Sequence, residues 1–387
     1  MKLKAVYKSS LGLAISAVLA GVIATPAMAG SLASNTALEP ASIGFATQNG
    51  GTTGGAKASS KNIYTVKNIS QFKSALKANK GQPRIIQVKG IIDVSGGKAY
   101  SSFNDQKKRS QLYIPSNTTI IGITSNSGFK KGSLIIKSVS NVIVRNLYVE
   151  SPVDVAPHFE KGDGWNAEWD GMNIIKSKNV WVDHMTFDDG SFTDSQYKTK
   201  NGWPYVQHDG ELDIKHGSDF VTVSYSIFKN HNKTMLIGHS ASNSKEDKGH
   251  LRITLADNMF HKIEQRTPRV RFGKVHSYNN VFKGNAKANE YAFKAGYGLG
   301  QQGSIRSENN VYGITKLKTL CKFVDVKKNN SSLVDSGSLY NGKTVSLSKC
   351  APSSNVGWSV PYSYTLHKAK NMEAYLKKHA GNGKLSL

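Results

Sequence analysis

One recurring unit limits what this chain can fold into. Six segments share a pattern: Asn141–Tyr148, Asn179–Phe187, Asp219–Phe228, Leu251–Phe260, Lys274–Phe282 and Ser304–Tyr312. Each is a short run rich in β-branched residues, then a polar bend, then an aromatic. The last three end alike, in Asn258-Met-Phe260, Asn280-Val-Phe282 and Asn310-Val-Tyr312. The terminal aromatics are spaced by 39, 41, 32, 22 and 30 residues, as a common coil with insertions of uneven length requires. A strand that recurs once per coil with Asn at the bend describes an all-β fold, the parallel β-helix. Each coil buries its inward residues only by stacking on its neighbours. Bend asparagines then hydrogen-bond along the axis, and the aromatics fill the lumen. A β-sandwich is the alternative, but it shows hairpin signals every 8–12 residues or so, and the connections here are long and uneven. The insertions Pro152 to Trp169 and Asp188 to Val206 are expected to gather beside one sheet as a cleft wall. Helical spacing marks only Ile69 to Lys77, with Ser70 as N-cap, and Asn371 to Lys378.

Charge narrows the partner. Lys and Arg number 51 against 26 Asp and Glu, a net charge of +25. Such a field recruits polyanions: nucleic acid, anionic lipid surfaces or acidic polysaccharide. Lys2, Lys4 and Lys8 precede an apolar run from Leu11 to Ala24, closed by Ala27-Met28-Ala29. This reads as a secretory signal peptide (residues 1–29) cut after Ala29, not as a membrane anchor. The mature chain, residues 30–387, then carries +22 and works outside the cytoplasm, which favours an extracellular polymer over nucleic acid. Two cysteines in an exported chain predict a Cys321–Cys350 disulfide. Residues 30 to 60 are rich in Ser, Ala, Thr and Gly; their early part reads as a flexible leader, and Gly50-Gly51 and Gly54-Gly55 mark tight turns.

The chemistry-bearing residues follow. Only eight residues are Arg, yet three fall in Arg266-Thr-Pro-Arg-Val-Arg271. A chain that uses Lys for bulk charge places Arg where the guanidinium fork itself matters. Glu168 and Asp170 lie two apart, and Asp209 and Asp213 frame His-Asp-Gly-Glu-Leu-Asp. Hard oxygen ligands drawn from several coils suit calcium; no Cys or His spacing argues for zinc. Lys215, Lys233, Arg266 and Arg271 interleave with these acids. A wall with an ion at one end and cations at the other suits a substrate bearing repeated carboxylates.

In order, Asn179-Val-Trp-Val-Asp-His184, Val206-Gln-His-Asp-Gly210, Leu212-Asp-Ile-Lys215, Lys233-Thr-Met-Leu-Ile-Gly238 and Arg266-Thr-Pro-Arg-Val-Arg271 resemble the bacterial pectate lyases of polysaccharide lyase family one. The resemblance is greatest to the strongly basic members secreted by plant soft-rot bacteria, and runs from about Gly44 to near the C-terminus. It implies a right-handed parallel β-helix and calcium-dependent β-elimination of polygalacturonate. It implies Asp170, Asp209 and Asp213 as Ca2+ ligands, joined by Glu168 where some members carry Asp. It implies Arg266 as the catalytic base and Lys215, Lys233 and Arg271 as substrate-binding residues. Trp181, Asp183 and His184 take a structural role. A pectin lyase acting on methyl-esterified polymer has no use for the acids or the charge. A non-catalytic glycan-binding β-helix needs the basic face but not the acids. The expected partner is polygalacturonate, met by a monomer with no membrane anchor and no nucleic acid.

Overall fold

The computed structural model describes residues 30–387; the segment read as a signal peptide lies outside them. Three sheets of ten, ten and eight strands run the length of a right-handed β-helix; pairing within them is parallel except for the last strand of the second, Lys343–Val345, and the central coils contribute one strand to each sheet. All six repeat units fall on the same two sheets. Lys178–Asp183, for example, pairs with Ser140–Arg145 on one side and Asp219–Ser224 on the other, and after the bend Thr186–Asp188 pairs with Ile227–Lys233. The third, eight-stranded sheet carries the site described below.

The bend between the first two sheets explains the Asn signal. At each coil one residue takes the left-handed conformation: Asn146, His184, Tyr225, Asp257, Asn279 and Asn309, with φ between 45° and 58°. Asparagine tolerates this region well among L-residues. The next position is a buried amide ladder. Asn258 Nδ2 donates to Asn280 Oδ1, and Asn280 Nδ2 to Asn310 Oδ1, both at 3.1 Å. Backbone N–H groups of Ser226, Asn258 and Asn280 donate to the same row of carboxamides. Serines take over at both ends, since Met185 N–H meets Ser226 Oγ and Asn310 N–H meets Ser338 Oγ. Inside, Phe187, Phe228, Phe260 and Phe282 stack with centroids 4.9, 5.1 and 4.9 Å apart and planes within 10°.

Helix Ile69–Lys77 forms as expected, but its N-cap is Asn68, whose side chain accepts from Gln71 N–H; Ser70 is already inside the helix. Phe72 is buried from its inner face against Phe129, and the buried guanidinium of Arg84 donates to the carbonyls of Ala75, Leu76 and Asn79, capping the helix C-terminus. The C-terminal helix spans Met372–His379. A further helix, Phe103–Ser110, was not legible, because its exposed faces are polar and only Gln106 and Ser110 are buried. The Cys321–Cys350 disulfide is present. The flexible leader is corrected: much of the segment is a strap packed along the first sheet. Phe45 and Ala46 are buried, their N–H groups donating to Thr254 and Thr222. A Cβ at Gly44 would lie 2.5 Å from Thr222 Oγ1, so this glycine permits close approach as well as its φ of +70°.

Behind the second sheet's edge lies a buried charge network. His231 is fully buried; its Nδ1 donates to Asp189 at 2.5 Å and its Nε2 to the Asp209 carbonyl at 2.6 Å. Tyr291 also donates to Asp189. Both partners of the His231 ring only accept, so the ring carries both protons. Burial alone lowers its pKa, but the Asp189 and then the Glu211 charge outweigh this and raise it to about 10. Glu211 itself is pushed up to about 8 by burial. The network therefore ties the turn bearing Asp209 to the core.

Two consequences are measurable. Asn280→Ala leaves buried donors and acceptors on both neighbouring coils unpaired, and is expected to cost about 3 kcal/mol in urea unfolding; a loss below about 1 kcal/mol refutes the ladder's weight. For His231, the folded pKa lies above the unfolded value of 6.5, so its contribution is complete below pH 6.5 and is lost as pH rises through about 10. The melting temperature of the native chain is expected to fall more steeply over that window than that of His231→Asn. Parallel slopes in calorimetry exclude the pair as their source.

Candidate active site

The eight-stranded sheet builds the site by alternation. In strands Met172–Ile175, Leu212–Lys215, Leu236–Ile237 and Arg269–Val270, the residues Met172, Ile174, Leu212, Ile214, Ile237 and Val270 are fully buried in the lumen. The alternate residues face outward. Register sets Asn173 beside Asp213 and Leu236 beside Arg269, so residues distant in sequence form one row. Tyr113, more than half exposed, stands at the far end of that row.

The structure brings the predicted acids into one neighbourhood, though not into a ready-made cage. Asp170 and Asp213 are buried, and the Lys215 ammonium bridges them at 3.3 and 3.1 Å. Asp170 Oδ1 also accepts the Gly210 N–H, and Asp213 Oδ1 accepts the Leu236 N–H. Burial raises both carboxyls' pKa, and neighbouring acid charge adds to this. Burial works against the Lys215 charge, but Asp170, Asp213 and Asp209 outweigh it and raise its pKa. Asp209, half-buried on the adjoining turn, is raised by burial and then by Asp213, and its carboxylate makes no ion pair or hydrogen bond among the described residues. Glu168 is exposed on the rim, and its N–H is held by buried Asp154. Among the described residues, no three acidic or histidine side chains already converge on one point as a metal cluster.

The cations adjoin directly. Lys233 lies in register with Gln265, and Gly210 bridges to Lys233, so Asp209, Lys233 and Arg266 come from neighbouring turns. Lys233 Nζ donates to Asn166 of the first long insertion at 3.0 Å, which brings that insertion to the cleft edge as expected. Arg266 has φ +62°, and its carbonyl accepts the Met235 N–H. Its Nε is buried with no hydrogen-bond partner among the described residues. Arg271 donates through one terminal nitrogen to the carbonyls of Gly238 and His239. Arg269 is held below the ordinary guanidinium range by burial and then by the Arg266 charge; Arg271 is lowered by burial, Arg269 and Arg266. Lys215, expected to bind substrate, pairs with two of the acids. Trp181, Asp183 and His184 lie on the first sheet, away from this row: Arg145 pairs with buried Asp183 at 2.8 Å and covers Trp181.

Sequence reasoning passed over Gly210, His231 and Asp154. Gly210 was visible in His-Asp-Gly, but its reason is spatial: a Cβ there would lie 2.7 Å from Asp170 Oδ1 and 2.9 Å from Asp213 Oδ1. His231 and Asp154 act on backbone groups of the acid-bearing turns, and carried no motif of their own.

Known proteins are similar to this chain along nearly its whole length. The sequence model of the pectate lyase family matches residues 12–385. Pectate lyase D of Dickeya chrysanthemi is 54% identical over 95% of this chain and 96% of its own length. A pectate lyase of Bacillus subtilis (strain 168) is 35% identical over 89% of this chain and 92% of its own. A solved pectate lyase bound to a hexasaccharide superposes with a TM-score of 0.85 at 33% identity, covering 91% of this chain and 100% of that one. The repeats, the outward row and these matches place the chain in the pectate lyase family.

Proposed function

We propose that this pectate lyase cleaves polygalacturonate by β-elimination in the cleft over the eight-stranded sheet, with calcium held by Asp170, Asp209 and Asp213. The observation that carries the reading is the junction of buried acids with Lys233 and Arg266 on adjacent turns. The donor set fits calcium: carboxylate oxygens only, three acids against one bridging ammonium, and no Cβ at Gly210 to crowd Asp170 and Asp213. A divalent ion competes with the Lys215 ammonium for the same oxygens. Glu168, at the rim, is an additional ligand in this reading.

The bond chemistry sets what each side chain does. The C5 proton of a galacturonosyl unit is α to a carboxylate, and its removal adds charge to an anion. When bound, calcium supplies Lewis-acid polarisation of that carboxylate. Lys233 and Arg271 neutralise neighbouring carboxylates and align the chain; Lys215, released from the acids, does the same. Arg266, as the neutral guanidine, accepts the C5 proton at a terminal nitrogen, its Nε being buried. The C5–H electrons form the C4–C5 double bond as the C4–O4 bond breaks, and the departing O4 takes a proton from solvent. Only the neutral guanidine form of an arginine acts as base. Turnover therefore rises toward alkaline pH. A hydrolase needs an acid and a base carboxylate on opposite faces of the scissile bond; here Asp170 and Asp213 share one ammonium instead.

Export with cleavage after Ala29 and action as a monomer complete the reading. No helix among the described residues is long and apolar enough to cross a membrane.

Chelation is expected to abolish formation of the unsaturated product, read by its ultraviolet absorbance, and added calcium to restore it. Gly210→Ala is expected to raise the calcium needed for half-maximal rate about tenfold, because its Cβ meets both carboxylates; full rate after exhaustive chelation removes the metal from the reaction. Arg266→Lys keeps charge but loses the planar fork. It is expected to bind polygalacturonate nearly normally and to lower kcat at least about 100-fold. Near-native kcat places the base elsewhere, with Lys233 next.

A further inference from the structure

The two long insertions carry a surface that the elimination chemistry does not use. The ribbon His158–Glu160 with Gly164–Asn166 and the ribbon Thr199–Lys200 with Trp203–Pro204 form one unit. Trp165 Nε1 donates to the Lys200 carbonyl at 3.0 Å, joining them. Trp203 lies against Gly164, where φ is +92° and a Cβ would sit 2.8 Å from the indole, so a side chain at 164 would displace the ring. Phe159 packs on Trp165 and Trp203 at 5.3 and 6.5 Å, and Trp165 on Tyr205 at 5.0 Å.

Burial would be the ordinary fate of such a cluster, yet Phe159 is 44% and Trp203 40% exposed. Lys200 covers Trp165 and Tyr205 from 4.2 and 5.0 Å, so the rings left open are those without a cation. The nearby His158–Glu160 pair is self-compensating. The unit is continuous with the cleft, because Asn166 of the first ribbon accepts from Lys233.

We propose that Phe159 and Trp203 form an outer binding platform for uncharged pyranose rings of the polymer, beyond the carboxylate-reading cleft. The inference rests on the pectate lyase reading for the identity of the polymer. Open aromatic faces suit the C–H face of a sugar ring, whereas a carboxylate laid on them loses water without gaining a partner. Methyl-esterified galacturonosyl units and neutral branch sugars both present that face. A second protein chain is less well matched, since two open rings make a small contact patch beside a strongly cationic cleft.

Calorimetric titration of the full mature chain in chelator separates binding from catalysis. Its arms are a fully methyl-esterified oligogalacturonide and a neutral galactan oligomer. The native protein is expected to bind at least one; binding of the first alone assigns the platform to esterified backbone. Trp203→Ala and Phe159→Ala are each expected to weaken that binding about fivefold, and Trp203→Phe to retain most of it. No binding by the native chain, equal binding by the alanine variants, or equal loss in Trp203→Phe overturns the proposal. So does concentration-dependent dimerisation that Trp203→Ala abolishes, which assigns the patch to a second copy. Lack of unsaturated product from polygalacturonate in the native enzyme sinks the function reading instead, a result this titration does not depend on.

Discussion

Parallel pairing between successive coils is the constraint on which the rest depends. A strand in this fold satisfies its backbone N–H and C=O groups only through the coil before and the coil after. Once the bend geometry is set, the neighbour of every outward side chain is set too. The left-handed residue and the buried amide that follows it set that geometry, coil after coil, from Asn258 through Asn280 to Asn310. Asn173, Asp213 and Arg269 are therefore aligned by backbone pairing on the far side of the lumen, with no direct contact required among them. Catalytic groups placed on such a lattice hold their spacing without the loops that position them in most folds.

The site uses this rigidity to hold like charges together. Asp170 and Asp213 sit where burial disfavours ionisation, and one ammonium cannot balance them with Asp209 alongside. The imbalance is tolerated because each carboxylate is fixed by a backbone N–H, from Gly210 and from Leu236. The turn bearing Asp209 is fixed from beneath by the His231 imidazolium, which is itself balanced by Asp189. In a chain of +25 net charge this neighbourhood is locally acidic: three carboxylates meet one ammonium. Under the proposed function that excess suits a divalent ion rather than a substrate anion, and leaves the anion to the lysine and arginines one turn away.

The fold was legible in the sequence because its signals are local: β-branched runs, bend asparagines and aromatics that must each recur once per coil. The family was legible because its motifs are contiguous. What escaped was set by contacts across many residues. Ser70 looked like the N-cap, but Asn68 lies where the chain leaves the preceding strand. The polar Phe103–Ser110 helix is held through Gln106, which meets the backbone of Val153 and Val155 and has no periodic partner. The Gly-rich N-terminal segment resembles a linker in composition, yet Gly44 serves close packing on Thr222 and Thr254, and Gly54 on Thr119. The pairing of Lys215 with Asp170 and Asp213 was also out of reach, because sequence gives the face of a strand, not which outward neighbour the ammonium reaches.

The arginine run shows why residue type outlasts charge in such a reading. Burial and then neighbouring guanidinium charge lower Arg269 and Arg271, and Arg271 offsets this by donating to two backbone carbonyls, a geometry its planar group permits. Lysines at those positions would turn their compact ammonium groups away from one another on flexible stems, and the mutual pressure would dissipate into solvent. Arg266 differs from its two neighbours in one respect: its Nε is buried and unpartnered among the described residues, while its backbone is fixed through the Met235 N–H. Arg271 is committed to two carbonyls of the preceding coil, whereas the Arg266 side chain makes no hydrogen bond through its inner nitrogen among the described residues and is placed by its backbone alone, which leaves its guanidine group the freer of the two to meet a ligand in the cleft.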